Sequence, residues 1–136
     1  MASKPSHILD ASALIAYLKG EEGSEILREL LLDDHNVLAI HSLNMFEVYA
    51  NYLRSDGHER AEEALDSANQ FLRTIDEYNE AFLKRVARWK VDHNLSLGHA
   101  FAAALAEEFA CPLVTKNQND FEKVDKSGAL KIEWIA

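Results

Sequence analysis

A chain of 136 residues is long enough for one domain with its own core and too short for two, so the whole of 1–136 is read as a single domain. A formal charge of −9 excludes nucleic-acid binding driven by the overall field, though not a local basic contact. One cysteine excludes an internal disulfide, no apolar run reaches the roughly 18 residues of a membrane span, and the start, Met-Ala-Ser-Lys-Pro-Ser-His, lacks the order of a secretory signal. The expected location is the cytoplasm, away from any membrane.

The first apolar run, 7–9, reads as a strand ending at Asp10. Residues 11–19 carry Leu14, Ile15 and Leu18 at helical spacing and close on Gly20. A second helix spans 24–32, and a second strand covers 37–40. Helices over 42–54 and 59–74 are separated by Ser55-Asp56-Gly57, and another covers 79–92. Ser96 caps a helix running to about residue 109. Strands at 112–115 and 130–135 complete the chain. Strands separated by helices of this length call for a parallel sheet covered on both faces. Ligand sites in such sheets lie beyond the carboxyl ends of the strands, where Asp10, Asn117 and Asp120 fall.

Several residues on this scaffold could carry chemistry. Asp10 opens a helix and could simply cap it, with the Ser12 hydroxyl aimed at the same place. Glu47 shares a helix side with Leu43, Phe46, Ala50 and Arg54, and a carboxylate buried there needs a partner or a metal. The other side of that helix carries Met45, Val48 and Tyr52, which predicts a helix covered on both sides by core or by a second subunit. His99 is the third residue of the helix capped by Ser96. Thr115-Lys116-Asn117-Gln118-Asn119-Asp120-Phe121 follows a strand, where turn chemistry alone explains Asn and Asp. Cys111, Trp89 and Trp134 read as structural, and Lys84, Arg85 and Arg88 as a solvated helix face.

Taken together, four pieces in this order and spacing resemble the PIN-domain family, especially the VapC-type toxins of bacterial toxin–antitoxin pairs. They are Ile8-Leu9-Asp10-Ala11-Ser12-Ala13-Leu14-Ile15-Ala16, Asn44-Met45-Phe46-Glu47-Val48, Leu95-Ser96-Leu97-Gly98-His99-Ala100, and Leu113-Val114-Thr115-Lys116-Asn117-Gln118-Asn119-Asp120-Phe121. The resemblance covers nearly the whole chain. It implies a three-layer α/β/α fold with a short parallel sheet of four to five strands. It also implies a metal-dependent ribonuclease using Mg²⁺ or Mn²⁺, with RNA as substrate, an antitoxin as partner and a homodimer as the assembly.

Carried over residue by residue, the resemblance makes Asp10, Glu47, His99 and Asp120 the catalytic set. Asp10, Glu47 and Asp120 would be the metal ligands, and Ser12, Thr115 and Asn117 accessory groups. Lys116 and Arg54 are the first candidates for RNA contacts. This chain departs from the family at His99, where the pattern has Asp. Imidazole binds Mn²⁺ or Zn²⁺ but is a poor ligand for Mg²⁺. The change implies either a natural, weakened or metal-altered enzyme or an inactivating substitution, and it motivates a second reading, an inactive module that binds RNA or an antitoxin without cutting. A phosphotransferase using Asp10 as nucleophile would want a second acid at position 12, where this chain has Ser12.

Overall fold

The computed structural model describes residues 3–136. In chain order the elements are β1 (His7–Leu9), α1 (Ala11–Leu18), α2 (Ser24–Leu32), β2 (Leu38–His41), α3 (Ser42–Asp56), α4 (His58–Phe71), β3 (Arg73–Ile75), α5 (Glu80–His93), α6 (Leu97–Phe109), β4 (Leu113–Thr115), α7 (Gln118–Ser127) and β5 (Ile132–Trp134). The strands form one parallel sheet in the order β3-β2-β1-β4-β5. Chain order therefore reverses between β1 and β4. Sheets of this kind open a crevice at such a switch, beyond the carboxyl strand ends.

The period-2 alternation of the strands divides the core into two layers. Ile8, Ala39 and Leu113 face one way, against Phe82, Val86 and Trp89 of α5 and the alanines of α6. Leu9, Ile40 and Val114 face the other, against Leu14, Leu27, Met45 and Val48 of α1 to α3. Ala100, Ala102, Ala103 and Ala106 are fully buried, and these small side chains let α6 run close beneath the sheet. Cys111 is buried in the same layer, and burial pushes its thiol up to about 11.

Two elements differ from the sequence reading. The helix expected over 59–74 ends at Phe71, and Arg73–Ile75 pairs in parallel with Ala39–His41 as an edge strand. Three half-buried residues directly after a helix leave no alternation to detect. The segment after β4, expected as a turn, continues into α7. Only Phe121 and Val124 of that helix are buried, so its apolar stripe is one residue pair wide. The chain's own core covers only one side of α3, which corrects the expectation of core on both sides and leaves the second-subunit alternative standing. Met45, Val48 and Tyr52 are buried, whereas Glu47 and Ala50 are exposed and Phe46 and Leu53 keep 54% and 42% of their surface.

His41 fastens the junction between β2 and α3. Its Nδ1 accepts the Leu43 N–H (3.0 Å), its Nε2 donates to the Glu77 carbonyl (2.9 Å), and its ring stacks on Phe82. Burial lowers its pKa from the ordinary imidazole value. The unfolded chain therefore takes a proton at higher pH than the folded one. The associated stability is complete above about pH 6.5 and is lost as pH falls below that toward the lower folded value. His41→Gln, which cannot titrate, is expected to melt below the natural protein at pH 7.5. That gap should narrow at pH 5.5 in paired melting curves.

Gly23, the residue before α2, has φ +96°, and a Cβ there would lie 1.9 Å from the Ile135 carbonyl oxygen. Both colliding groups belong to the backbone, so neither can swing aside. Gly23→Ala is expected to cost about 3 kcal/mol and lower Tm by roughly 10 °C, read by thermal unfolding.

Candidate functional site at the sheet edge

The β1/β4 switch brings Asp10 and Thr115 side by side at the carboxyl ends of their strands. Asp10 is the N-cap of α1, where its Oδ1 accepts the Ala13 N–H (3.0 Å), and it is wholly buried. The capping and site readings of this residue are thus compatible. The Ser12 hydroxyl donates to Asp10 Oδ1 (2.6 Å), and the Thr115 hydroxyl donates to Oδ2. Burial raises the Asp10 carboxyl above the usual range, against the opposing pull of Ser12, Thr115, the Ala13 N–H and the nearby His99. Among the described residues no lysine, arginine or histidine lies within ion-pair distance of it.

The polar contacts continue outward from Thr115. Its hydroxyl accepts the Asn117 N–H (3.0 Å), and the Asn117 amide meets His99 Nε2 at 2.9 Å. The other ring nitrogen, Nδ1, lies 3.7 Å from Asp120 Oδ2, and Phe121 packs edge-on against the imidazole. Ser96 caps α6 by accepting the His99 N–H (3.3 Å), which sets the ring at the helix start as the sequence implied. Asp120 is in the first turn of α7 rather than in a loop. Six of the expected residues, Asp10, Ser12, Thr115, Asn117, His99 and Asp120, thus form one connected run.

Glu47 reaches this neighbourhood from α3. Its carboxylate lies against Gly98, the residue before His99, and its Oε1 accepts from Asn44 Nδ2 (2.9 Å). Asn44 was missed in the sequence, although it stands one helical turn before Glu47 on the same side. Lys116 flanks the site, its backbone N–H on the Ser12 hydroxyl (3.0 Å) and its Nζ 3.4 Å from Glu21. An open cleft of about 440 Å³ beside it is lined by Glu22, Lys116, Asn117, Gln118, Asn119, Asp120 and Ala136. Arg54 stands apart in the last turn of α3, about 10 Å along the helix from Glu47. Lys84 pairs with Glu80 and Arg85 with Glu107, in keeping with a solvated face.

Among the described residues no three His, Cys, Asp or Glu side chains come together closely enough to enclose a metal ion. A hydrated Mg²⁺ or Mn²⁺ needs less than that: one or two carboxylates, with water and substrate phosphate filling the rest. The buried Asp10 carboxylate, lacking a cationic partner, suits such an ion. The imidazole of His99, beside this carboxyl, is a softer donor than a carboxylate would be.

Among solved structures, the chain resembles DNA-bound VapBC from Salmonella typhimurium, with 17% identity, TM-score 0.76, and coverage of 97% of this chain and 99% of the other. VapBC2 from Rickettsia felis, bound to a fragment of its promoter, gives 20% identity, TM-score 0.73 and coverage of 93% and 96%. A VapC toxin of Mycobacterium tuberculosis described as cleaving the sarcin-ricin loop gives 16%, 0.68, and 87% and 95%. At these identities the likeness establishes the fold. No curated protein matches the chain. The PIN-domain family model matches residues 7–127, and that span, nearly the entire sequence, makes this protein a member of the PIN-domain family.

Proposed function

We propose that this protein is a VapC-like toxin, an endoribonuclease that uses Mg²⁺ or Mn²⁺ and is weakened by the imidazole at position 99. The observation that carries the reading is the run of contacts from Asp10 through Thr115 and Asn117 to His99 and Asp120, at the sheet's switch point. Asp10, Glu47 and Asp120 would share a hydrated ion, water and substrate phosphate completing its shell, since among the described residues these side chains do not close around one. The ion's chemistry is to stabilise charge on the scissile phosphate and to acidify water.

The protein's own residues prepare that chemistry. Ser12 and Thr115 fix the rotamer of Asp10 by donating to its two oxygens, so the carboxylate has no freedom to lose on binding. Lys116 offers a cation for a phosphate beside the cleft, once released from Glu21, and Arg54 offers a second contact further out. Asn117 and Asp120 hold the His99 ring where a carboxylate would otherwise stand. The exposed Phe46 and Leu53 on α3 support contact with another chain, an antitoxin or a second copy. No helix among the described residues is long and apolar enough to cross a membrane.

The test is Mn²⁺-dependent cleavage of several RNAs by the purified protein and by His99→Asp. A second reading, a PIN-fold module that binds RNA or an antitoxin without cutting, is favoured by the imidazole itself. Tight binding by both proteins, with neither metal uptake nor cleavage, would select it.

A further inference from the structure

Gly98 is the second residue of α6, and it is not among the glycines with positive φ. Its backbone would suit alanine, which is also the better helix former. Its surroundings would not. A Cβ at this position would lie 2.4 Å and 2.6 Å from the two carboxylate oxygens of Glu47 and 2.8 Å from Cδ. The hollow left by the missing side chain is where the Glu47 carboxylate sits. Glu47 is itself exposed, so no packing obliges it to stay there.

A second, independent observation concerns Asn44. This residue is 1% exposed, and its amide nitrogen donates both to Glu47 Oε1 (2.9 Å) and to the Gly98 carbonyl (2.9 Å). Two acceptors in front of one group fix its orientation, because the flipped amide would set oxygen against oxygen. The consequence is that Asn44 Oδ1 is buried without a partner among the described residues. Leaving a buried amide oxygen unpaired costs stability. The arrangement satisfies Glu47 at the expense of Asn44, the pattern expected where a fold gives up stability to aim a functional group.

We propose that Gly98 and Asn44 are positioning residues for Glu47. The bare glycine leaves room for the carboxylate on the first turn of α6, and the Asn44 amide holds it there, next to the residue that presents the ring facing Asp120. The inference deepens the proposed function and rests on it for its consequence, the affinity for a divalent cation. It also has a geometric content that stands without any metal.

The experiment combines a crystal structure of Gly98→Ala with Mn²⁺ titrations of the natural protein, Gly98→Ala, Asn44→Leu, Glu47→Gln and the Gly98→Ala/Glu47→Gln pair. Gly98→Ala should keep or raise Tm, show the Glu47 carboxylate swung away from α6, and weaken Mn²⁺ binding about tenfold. Asn44→Leu should weaken it comparably. In the Glu47→Gln background, Gly98→Ala should add no more than about a twofold change. A carboxylate that stays on the α6 turn in Gly98→Ala overturns the proposal, as does an undiminished effect in the Glu47→Gln background. If the natural protein takes up no Mn²⁺, the metal reading fails, and the place of the Glu47 carboxylate in the Gly98→Ala crystal alone decides the positioning.

Discussion

His99→Asp is expected to raise Mn²⁺-dependent RNA cleavage by about 100-fold or more over the natural protein, the upper end of what a supporting group at a metal site contributes. The substitution exchanges an imidazole held by Asn117 and Asp120 for a carboxylate in a neighbourhood already containing Asp10. Without metal that crowding of like charge should lower Tm. Added Mn²⁺ should restore it, because an ion that binds only the folded state stabilises with the logarithm of its concentration relative to Kd. The signature is therefore joint: a Tm that depends on Mn²⁺ concentration more steeply in the variant, and cleavage abolished by chelator. Intact RNA with both proteins, across several substrates, would remove the nuclease reading.

Asp10→Asn should separate stability from activity. Burial raises the Asp10 carboxyl above the usual range, so the folded protein holds that proton to higher pH than the unfolded chain does. The associated stability is present below the unfolded pKa and is lost as pH climbs through the raised folded value. Once the pH exceeds the unfolded pKa, the buried carboxyl therefore works against folding. Asparagine keeps the shape and an acceptor for Ser12 and Ala13, while the Thr115 hydroxyl can turn to accept from the new amide. We expect Tm in chelator to rise by about 3 °C, the equivalent of about 1 kcal/mol. In the His99→Asp background the same change should reduce cleavage by more than about 100-fold, beyond the loss of an outer-shell partner. A fall in Tm would mean that the two hydroxyls require a charged acceptor.

Much of this arrangement could be read from the chain because its signals are local. Asp10 closes an apolar strand, Ser96 caps a helix three residues before His99, and Thr115 ends a strand whose neighbours β1 and β5 follow from ordinary crossovers. Strand β3 and helix α7 escaped because each contributes too few buried residues for a period to register. The environment of Glu47 stayed open in the sequence for a different reason. Helical spacing places it with Leu43, Phe46 and Ala50, but spacing cannot tell whether that side meets core or solvent. The pairing of Gly98 with Glu47 joins residues 51 positions apart and leaves no trace in local pattern. The glycine is visible, but its reason lies in another helix.

Cys111 has a practical corollary. With its thiol pushed up to about 11 and shielded in the α6–β4 layer, only about one molecule in 10⁴ carries a thiolate at pH 7. Cys111 is the one sulfhydryl in the sequence, and its burial and raised pKa disfavour a disulfide between copies of this chain. The same quiet thiol makes the protein a ready background for attaching a single fluorescent dye to an engineered surface cysteine.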